Sequence, residues 1–222
     1  MILRDVFTSR LEPDTIIAAA DALTSLGLNV ALSPFVASGK FDHLVGKRAA
    51  FRKAVSSQRQ LVDDITRAGA IPVAIEPATA LLHQHEYPNM DRSYPRSVRH
   101  LVDVLYDNRD AIAHRAKPTD DTVAILGHCT ERSLRPENLT RWATVLDAAG
   151  YRATIPDLGC CGMAGLFGHQ EGNQRMSATI WNLGWNDTVR RHTVTATGYS
   201  CRSQIERFGN QSVPHPVHLL VD

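Results

Sequence analysis

The chain has 222 residues, with 24 Lys and Arg against 23 Asp and Glu and a formal net charge of +1. That balance gives no case for nucleic acid or an anionic membrane surface as partner. The 43% apolar content is ordinary for a soluble globular protein with a sizeable core. No apolar stretch approaches the roughly 20 residues that span a bilayer. The opening residues Met1, Ile2, Leu3, Arg4 and Asp5 lack a signal-peptide layout. A cytoplasmic protein is expected, at most peripheral at the inner face of a membrane.

Strand and helix signals alternate along the chain, which favours an α/β fold with parallel strands. A strand is expected at 2–7. Pro13 then opens a helix that Gly27 stops. A strand at 29–32, a long helix at about 47–68 and a strand at 71–75 follow. The basic residues Lys47, Arg48, Arg52, Lys53 and Arg59 read as the solvated face of that helix, with docking of an acidic partner as the alternative. The segment 91–115 reads as helical, because Val98, Leu101, Val102, Leu105 and Ile112 fall near helical periodicity. A further strand is expected from Thr122, and Pro136 opens a helix that Gly150 stops. Apolar runs from Tyr151 and Thr193 give two more strands. Trp181 and Trp185, at i and i+4, are expected on one helical face.

The two halves share landmarks. Pro13 and Gly27 match Pro136 and Gly150, and Ser38 with Gly39 matches Cys161 with Gly162, all at an offset of 123; Thr79 matches Cys201 at 122. A fixed offset of this kind implies internal duplication. The expected organisation is two pseudo-repeated Rossmann-like halves with parallel strands. Residues 1–90 form a half without cysteines, 91–118 a helical linker, and 119–222 the cysteine-bearing half. Ala37 and Ser38 stand in the first half where Cys160 and Cys161 stand in the second.

Every cysteine lies in the second half, and each follows an apolar run. Cys129 comes after the run from Thr122, Cys160 and Cys161 after the run from Tyr151, and Cys201 after the run from Thr193. Loops at the carboxyl ends of parallel strands lie along one sheet edge, where ligands bind. Residues far apart in sequence can therefore meet there, and four convergent thiolates make a zinc or iron–sulfur site. In a reducing compartment cysteines serve as ligands or redox groups more often than as disulfides. Gly159 and Gly162 flank the adjacent thiols and allow a sharp turn and close approach to a bound group. A helix starting near Met163 would aim free N–H groups at the sulfurs, lowering their pKa values. The lack of a CxxC pair argues against an ordinary zinc ribbon. Buried apolar cysteines and a strained Cys160–Cys161 disulfide are the alternatives. His128 and His169 are possible additional ligands, or partners of a sulfur. Arg202 and Gln204 are placed to donate to anionic sulfur. His215, between Pro214 and Pro216, is either a site residue or a packing group.

These motifs resemble the cysteine-rich CCG domain, whose pattern is Cys, a long spacer, Cys-Cys-Gly, a second spacer and Cys-x-x-Cys. Here the last element runs from Cys201 to Gln204, so one usual cysteine is absent. The chain is most similar to the C-terminal region of fused FAD/iron–sulfur dehydrogenases of D-2-hydroxy acids such as D-lactate and D-2-hydroxyglutarate. The similarity covers nearly the whole chain and rests on Asp5 to Ser9, Pro34 with Phe35, Gly39 with Lys40, and more specifically on Gly127 to Glu131, Gly159 to His169, Gly198 to Gln204, and His215 with Pro216 and Val217. It implies an iron–sulfur cluster of the 4Fe-4S kind, or zinc, held by Cys129, Cys160, Cys161 and Cys201. It also implies an electron relay from flavin to an acceptor, with a membrane-associated acceptor as one option. FAD itself would belong to a missing part, because neither a Gly-rich FAD segment nor a ferredoxin-type cysteine run is present. The expected partners are therefore FAD-binding and ferredoxin-like iron–sulfur domains or subunits. A structural zinc-binding docking domain and a dithiol or heterodisulfide-type reductase using Cys160 and Cys161 are the rival functions.

Overall fold

The structure is a computed structural model that describes residues 1–117 and 119–221. Pro118, where the expected linker ends, and Asp222 lie outside the described residues. The fold is α/β, with short parallel strands in two sheets. The chain divides into two compact units, Met1–Val104 and Leu105–Asp222. Among the described residues no helix is long and apolar enough to cross a membrane.

In the first unit the helix Arg48–Arg67 buries Phe51, Val55, Gln58, Val62 and Ile65. Their spacing of three and four residues places them on one stripe. Val62 and Ile65 pack with Leu3, Ala74, Ala80 and Val98, while Phe51 and Val55 pack with Leu82, Tyr87 and Tyr94. Arg52 and Lys53 on the opposite face are exposed. The helix Pro13–Ser25 begins and ends as its Pro and Gly signals require, with Gly27 at φ +80°.

Strand content is smaller than the apolar runs imply. Ile2 makes single parallel bridges to Leu32 and to Val73. Val73–Ala74 (β1) pairs in parallel with Arg99–His100 (β2). The expected strand at 2–7 ends early because Asp5 bonds to its own backbone. Its Oδ1 accepts the N–H groups of Phe7 at 2.8 Å and Thr8 at 3.0 Å, which opens the π-helical turn Phe7–Leu11. The expected strand at 29–32 shrinks to the bridge at Leu32, just before Pro34, which has no N–H to extend a ladder. The segment 91–115 is helical only from Leu101, in Leu101–Asp107 and Arg109–Ala113. Its earlier part is recruited by the sheet, Arg99 N–H donating to Pro72 O at 2.9 Å.

In the second unit Thr122–Leu126 (β3) is the central strand, flanked in parallel by Arg152–Thr154 (β4) and Val194–Ala196 (β5). Thr122 is in register with Arg152, and Ala124 with Val194. The helix Glu137–Ala148 lays Leu139, Trp142, Val145 and Leu146 into the core, and Gly150 follows at φ +100°. Trp181 and Trp185 do not share one helix. The helices Gln174–Asn182 and Trp185–Arg191 break between them, yet both rings are buried with centroids 6.2 Å apart. Cys161, Met163 and Cys201 belong to the same apolar cluster as these tryptophans, together with Ala124, Leu126 and Ile205.

Candidate functional site

The site is assembled where chain segments leave the carboxyl ends of β3, β4 and β5. Past β3, His128 N–H donates to Thr197 Oγ1 at 2.9 Å. The Thr197 hydroxyl donates onward to Glu131 Oε2 at 2.7 Å, and Asn138 Nδ2 reaches Glu131 Oε1 at 3.0 Å. Glu131 is 1% exposed, and hydrogen bonds of this kind are what allow a carboxylate to be buried. Gly198 admits the His128 ring so closely that a Cβ there would lie 2.4 Å from it. These contacts fix the start of the helix Cys129–Leu134, and with it Cys129.

Past β4 the chain runs as a loop to Cys160 and Cys161. Trp185 Nε1 donates to Gly159 O at 3.0 Å. Gly162 sits at φ +94°, a conformation that disfavours any side chain. Its N–H donates to Cys160 Sγ at 3.3 Å, and its carbonyl accepts from Ser177 Oγ at 2.9 Å. Gln204 Nε2 donates to Cys161 O and to Ser177 Oγ, both at 2.9 Å. Cys201 lies in the first turn of the helix Tyr199–Gly209 rather than in a loop, its N–H donating to Gly198 O at 3.0 Å.

The four thiols are all free of disulfides, so the Cys160–Cys161 disulfide is not present. They form a row of contacts: Cys129 meets Cys160, Cys160 meets Cys161, and Cys161 meets Cys201. Cys129 and Cys160 are half-buried, while Cys161 and Cys201 are 3% and 1% exposed. Hydrogen bonds from the Cys129 and Cys161 thiols hold Cys160 far below the usual thiol range, with help from Gly162 N–H and the His128 charge. Donating to Cys160 raises Cys129, and burial adds to that. Cys161 is raised by its bonds to Cys160 and Cys201 and then by burial. The neighbouring thiols thus push Cys160 down and are themselves pushed up by it. Among the described residues no group of three or more His, Cys, Asp or Glu side chains is already placed to hold a metal ion.

Other expected site residues take different places. No helix starts at Met163. A turn follows, with Ala164 at φ 43° and Gly165 at φ 65°, so the N–H that meets Cys160 is the single one of Gly162. His169 is exposed in the short turn Phe167–His169. His128 is half-buried and acts on Cys160 through its charge. Arg202 is buried, donates to Ala196 O at 2.8 Å and lies near His215. The Gln204 amide donates to oxygen and not to sulfur. His215 is a core group, edge-on to Trp142 at 5.3 Å, and its Nδ1 accepts Val217 N–H at 3.2 Å. Sequence reading missed Glu131, Thr197 and Ser177. Their only signal was proximity to the cysteine motifs or, for Ser177, none.

No protein-family model matches the chain. Over 235 residues it is 30% identical to the D-2-hydroxyglutarate dehydrogenase of Haemophilus influenzae, covering all of this chain and 23% of that protein. The D-2-hydroxyglutarate dehydrogenases of Escherichia coli, 30% identical over 230 residues, and Pseudomonas putida, 29% identical over 225, are also matched along this whole chain. The chain spans 22–23% of the length of these relatives: it is similar throughout to one part of a much longer dehydrogenase.

Proposed function

We propose that this chain is the metal-binding, electron-relaying part of an FAD-linked D-2-hydroxy-acid dehydrogenase. The observation that carries the reading is the unbroken row of thiols from Cys129 to Cys201, in a chain matched from end to end by D-2-hydroxyglutarate dehydrogenases. The donor set fits an iron–sulfur cluster or zinc, since both take four thiolates. Cys129, Cys160, Cys161 and Cys201 would hold it, and a bound iron–sulfur cluster supplies one-electron chemistry. The chain's own residues prepare the site. Gly162 N–H stabilises negative charge on Cys160. The Glu131, Thr197 and Asn138 network holds Cys129 in place. The surrounding tryptophans and Ile205 keep water from Cys161 and Cys201.

FAD and the substrate carboxylates would be bound by other domains or subunits, which are the partners this reading requires. The shared strand order supports internal duplication. Ile2 lies between Leu32 and Val73 as β3 lies between β4 and β5. All four cysteines lie in the second half, which would leave the thiol chemistry to one copy. The rival reading, a dithiol reductase, is favoured by the depressed pKa of Cys160 beside the Cys161 thiol.

The test is iron, zinc and acid-labile sulfide content of anaerobically purified or reconstituted protein. Iron with sulfide and a brown colour is the expected result. Zinc alone would leave a structural docking domain, and metal-free protein that reduces disulfides would replace the relay by dithiol chemistry. In the assembled enzyme, Cys161→Ala should spare flavin reduction by substrate and slow transfer onward. Equal loss of both, with FAD retained, would place the thiols in substrate chemistry.

A further inference from the structure

Two buried polar side chains contact the Cys161–Gly162 turn without touching sulfur. Gln204 and Ser177 are both 0% exposed. One Gln204 N–H donates to Cys161 O, the other to Ser177 Oγ, and the Ser177 hydroxyl donates to Gly162 O. Two successive carbonyls of the turn are therefore tied down by two different helices, Gln174–Asn182 and Tyr199–Gly209. The fit is tight: a Cβ on Gly162 would lie 2.5 Å from Ser177 O and 3.0 Å from Gln204 Nε2. Gln204 also stands three residues after Cys201, on the same face of its helix. One helix thus supplies both the sulfur that meets Cys161 and the amide that holds its backbone.

An apolar side chain of similar length would fill this space with no polar cost. The Gln204 amide instead keeps its Oε1 buried without a hydrogen-bond partner, which a residue placed for packing alone does not require. We propose that Gln204 and Ser177 are positioning residues that lock the Cys161–Gly162 turn and thereby keep Cys160 and Cys161 in line with Cys129 and Cys201. The role in metal uptake rests on the metal-binding reading above. The locking of the turn does not.

The experiment uses the full 222-residue chain, prepared anaerobically and titrated with Co2+. Gln204→Met keeps the length and removes both donors. Ser177→Ala is the milder change and decides the matter if the first variant does not fold. Circular dichroism should match wild type. Co2+ affinity should fall about 10- to 100-fold, as for other groups that orient metal ligands. The sulfur-to-cobalt absorption per bound cobalt should also fall, because fewer thiolates reach the metal; a merely structural role would not move that signature. In metal-free protein, iodoacetamide should label Cys161 faster in both variants, as read by peptide mass spectrometry. Wild-type affinity, band intensity and Cys161 protection in a folded variant would overturn the proposal. If wild type takes up no cobalt, the metal-binding reading fails, while faster labelling of Cys161 still upholds the locked turn and unchanged labelling overturns it.

Discussion

Gly162→Ala tests how rigidly the thiol-bearing turn is held. Two independent costs arise at this position. An L-residue at positive φ loses roughly 1–2 kcal/mol, and Gly162 stands at +94°. The new methyl would also lie 2.5 Å from Ser177 O, a backbone atom of a helix that cannot swing aside; crowding of this kind costs about 1–3 kcal/mol. Together they predict a loss of roughly 2–5 kcal/mol. Gly159→Ala is the internal control, because its φ is not positive and its Cβ would meet nothing within 4 Å; a change within about 0.5 kcal/mol is expected there. Urea unfolding followed by tryptophan fluorescence suits the question. All three tryptophans lie in the Leu105–Asp222 unit, and Trp185 is bonded to Gly159 itself. The midpoint for Gly162→Ala should drop with little change in slope. Equal midpoints for the two alanine variants would refute the claim that the turn depends on Gly162.

Two pH predictions concern the first unit, where Asp5 and His83 line a cavity of about 20 Å³. Burial lowers His83 to about 3, so the fold holds it neutral while the unfolded chain protonates it near the ordinary histidine value of about 6.5. The stability this contributes is complete above about pH 6.5 and is lost as pH falls toward about 3, on the order of 5 kcal/mol over the window. Ring-proton NMR should show no titration of His83 before that unit unfolds; a midpoint near 6.5 in folded protein would contradict this. Asp5 has the opposite sign. Burial raises it despite the Thr8 and Phe7 N–H groups, so its contribution is present at low pH and lost as pH rises through the folded value. Asp5→Asn should therefore equal or exceed wild type in urea midpoint at neutral pH and lose that advantage in acid. A variant that is weaker at neutral pH would show that the carboxylate is needed for its charge.

Helices were legible in the sequence where local chemistry and tertiary packing agree. Pro13 and Gly27 bound a helix, Gly150 ends one, and the stripe from Phe51 to Ile65 gives Arg48–Arg67 nearly to the residue. Strands were legible as positions but not as lengths. A ladder needs a partner along its whole run, and the apolar residues after Leu3 meet Asp5, whose side chain offers the backbone a competing bond. The stretch before Leu101 failed for the converse reason. Its apolar spacing suits a helix, but Pro72 O takes the Arg99 N–H into a sheet, an edge no local pattern reveals. At Trp181 and Trp185 the i, i+4 spacing found the buried face and missed the break between two helices.

The candidate site divides along the same line. Residue type and glycine context single out Cys129, Cys160, Cys161 and Cys201, because thiols beside glycines are unusual enough to stand out. The order of their contacts could not be read, since it depends on how a loop past β4 and a helix past β5 fold back beside β3. Cys160, the middle of the first three, meets both neighbours and is pushed down by them while Cys161 is pushed up, whereas sequence alone treats the two as equivalent. Groups that act through the backbone were the least legible of all. Gln204 looked suited to donating to sulfur because of its spacing from Cys201, and it donates to a carbonyl instead. Ser177 carried no signal, being ordinary in type and distant from every cysteine. Donors for an anionic sulfur are chosen by residue type and so leave a trace in sequence, whereas groups that hold a turn need only a hydroxyl or amide in the right place.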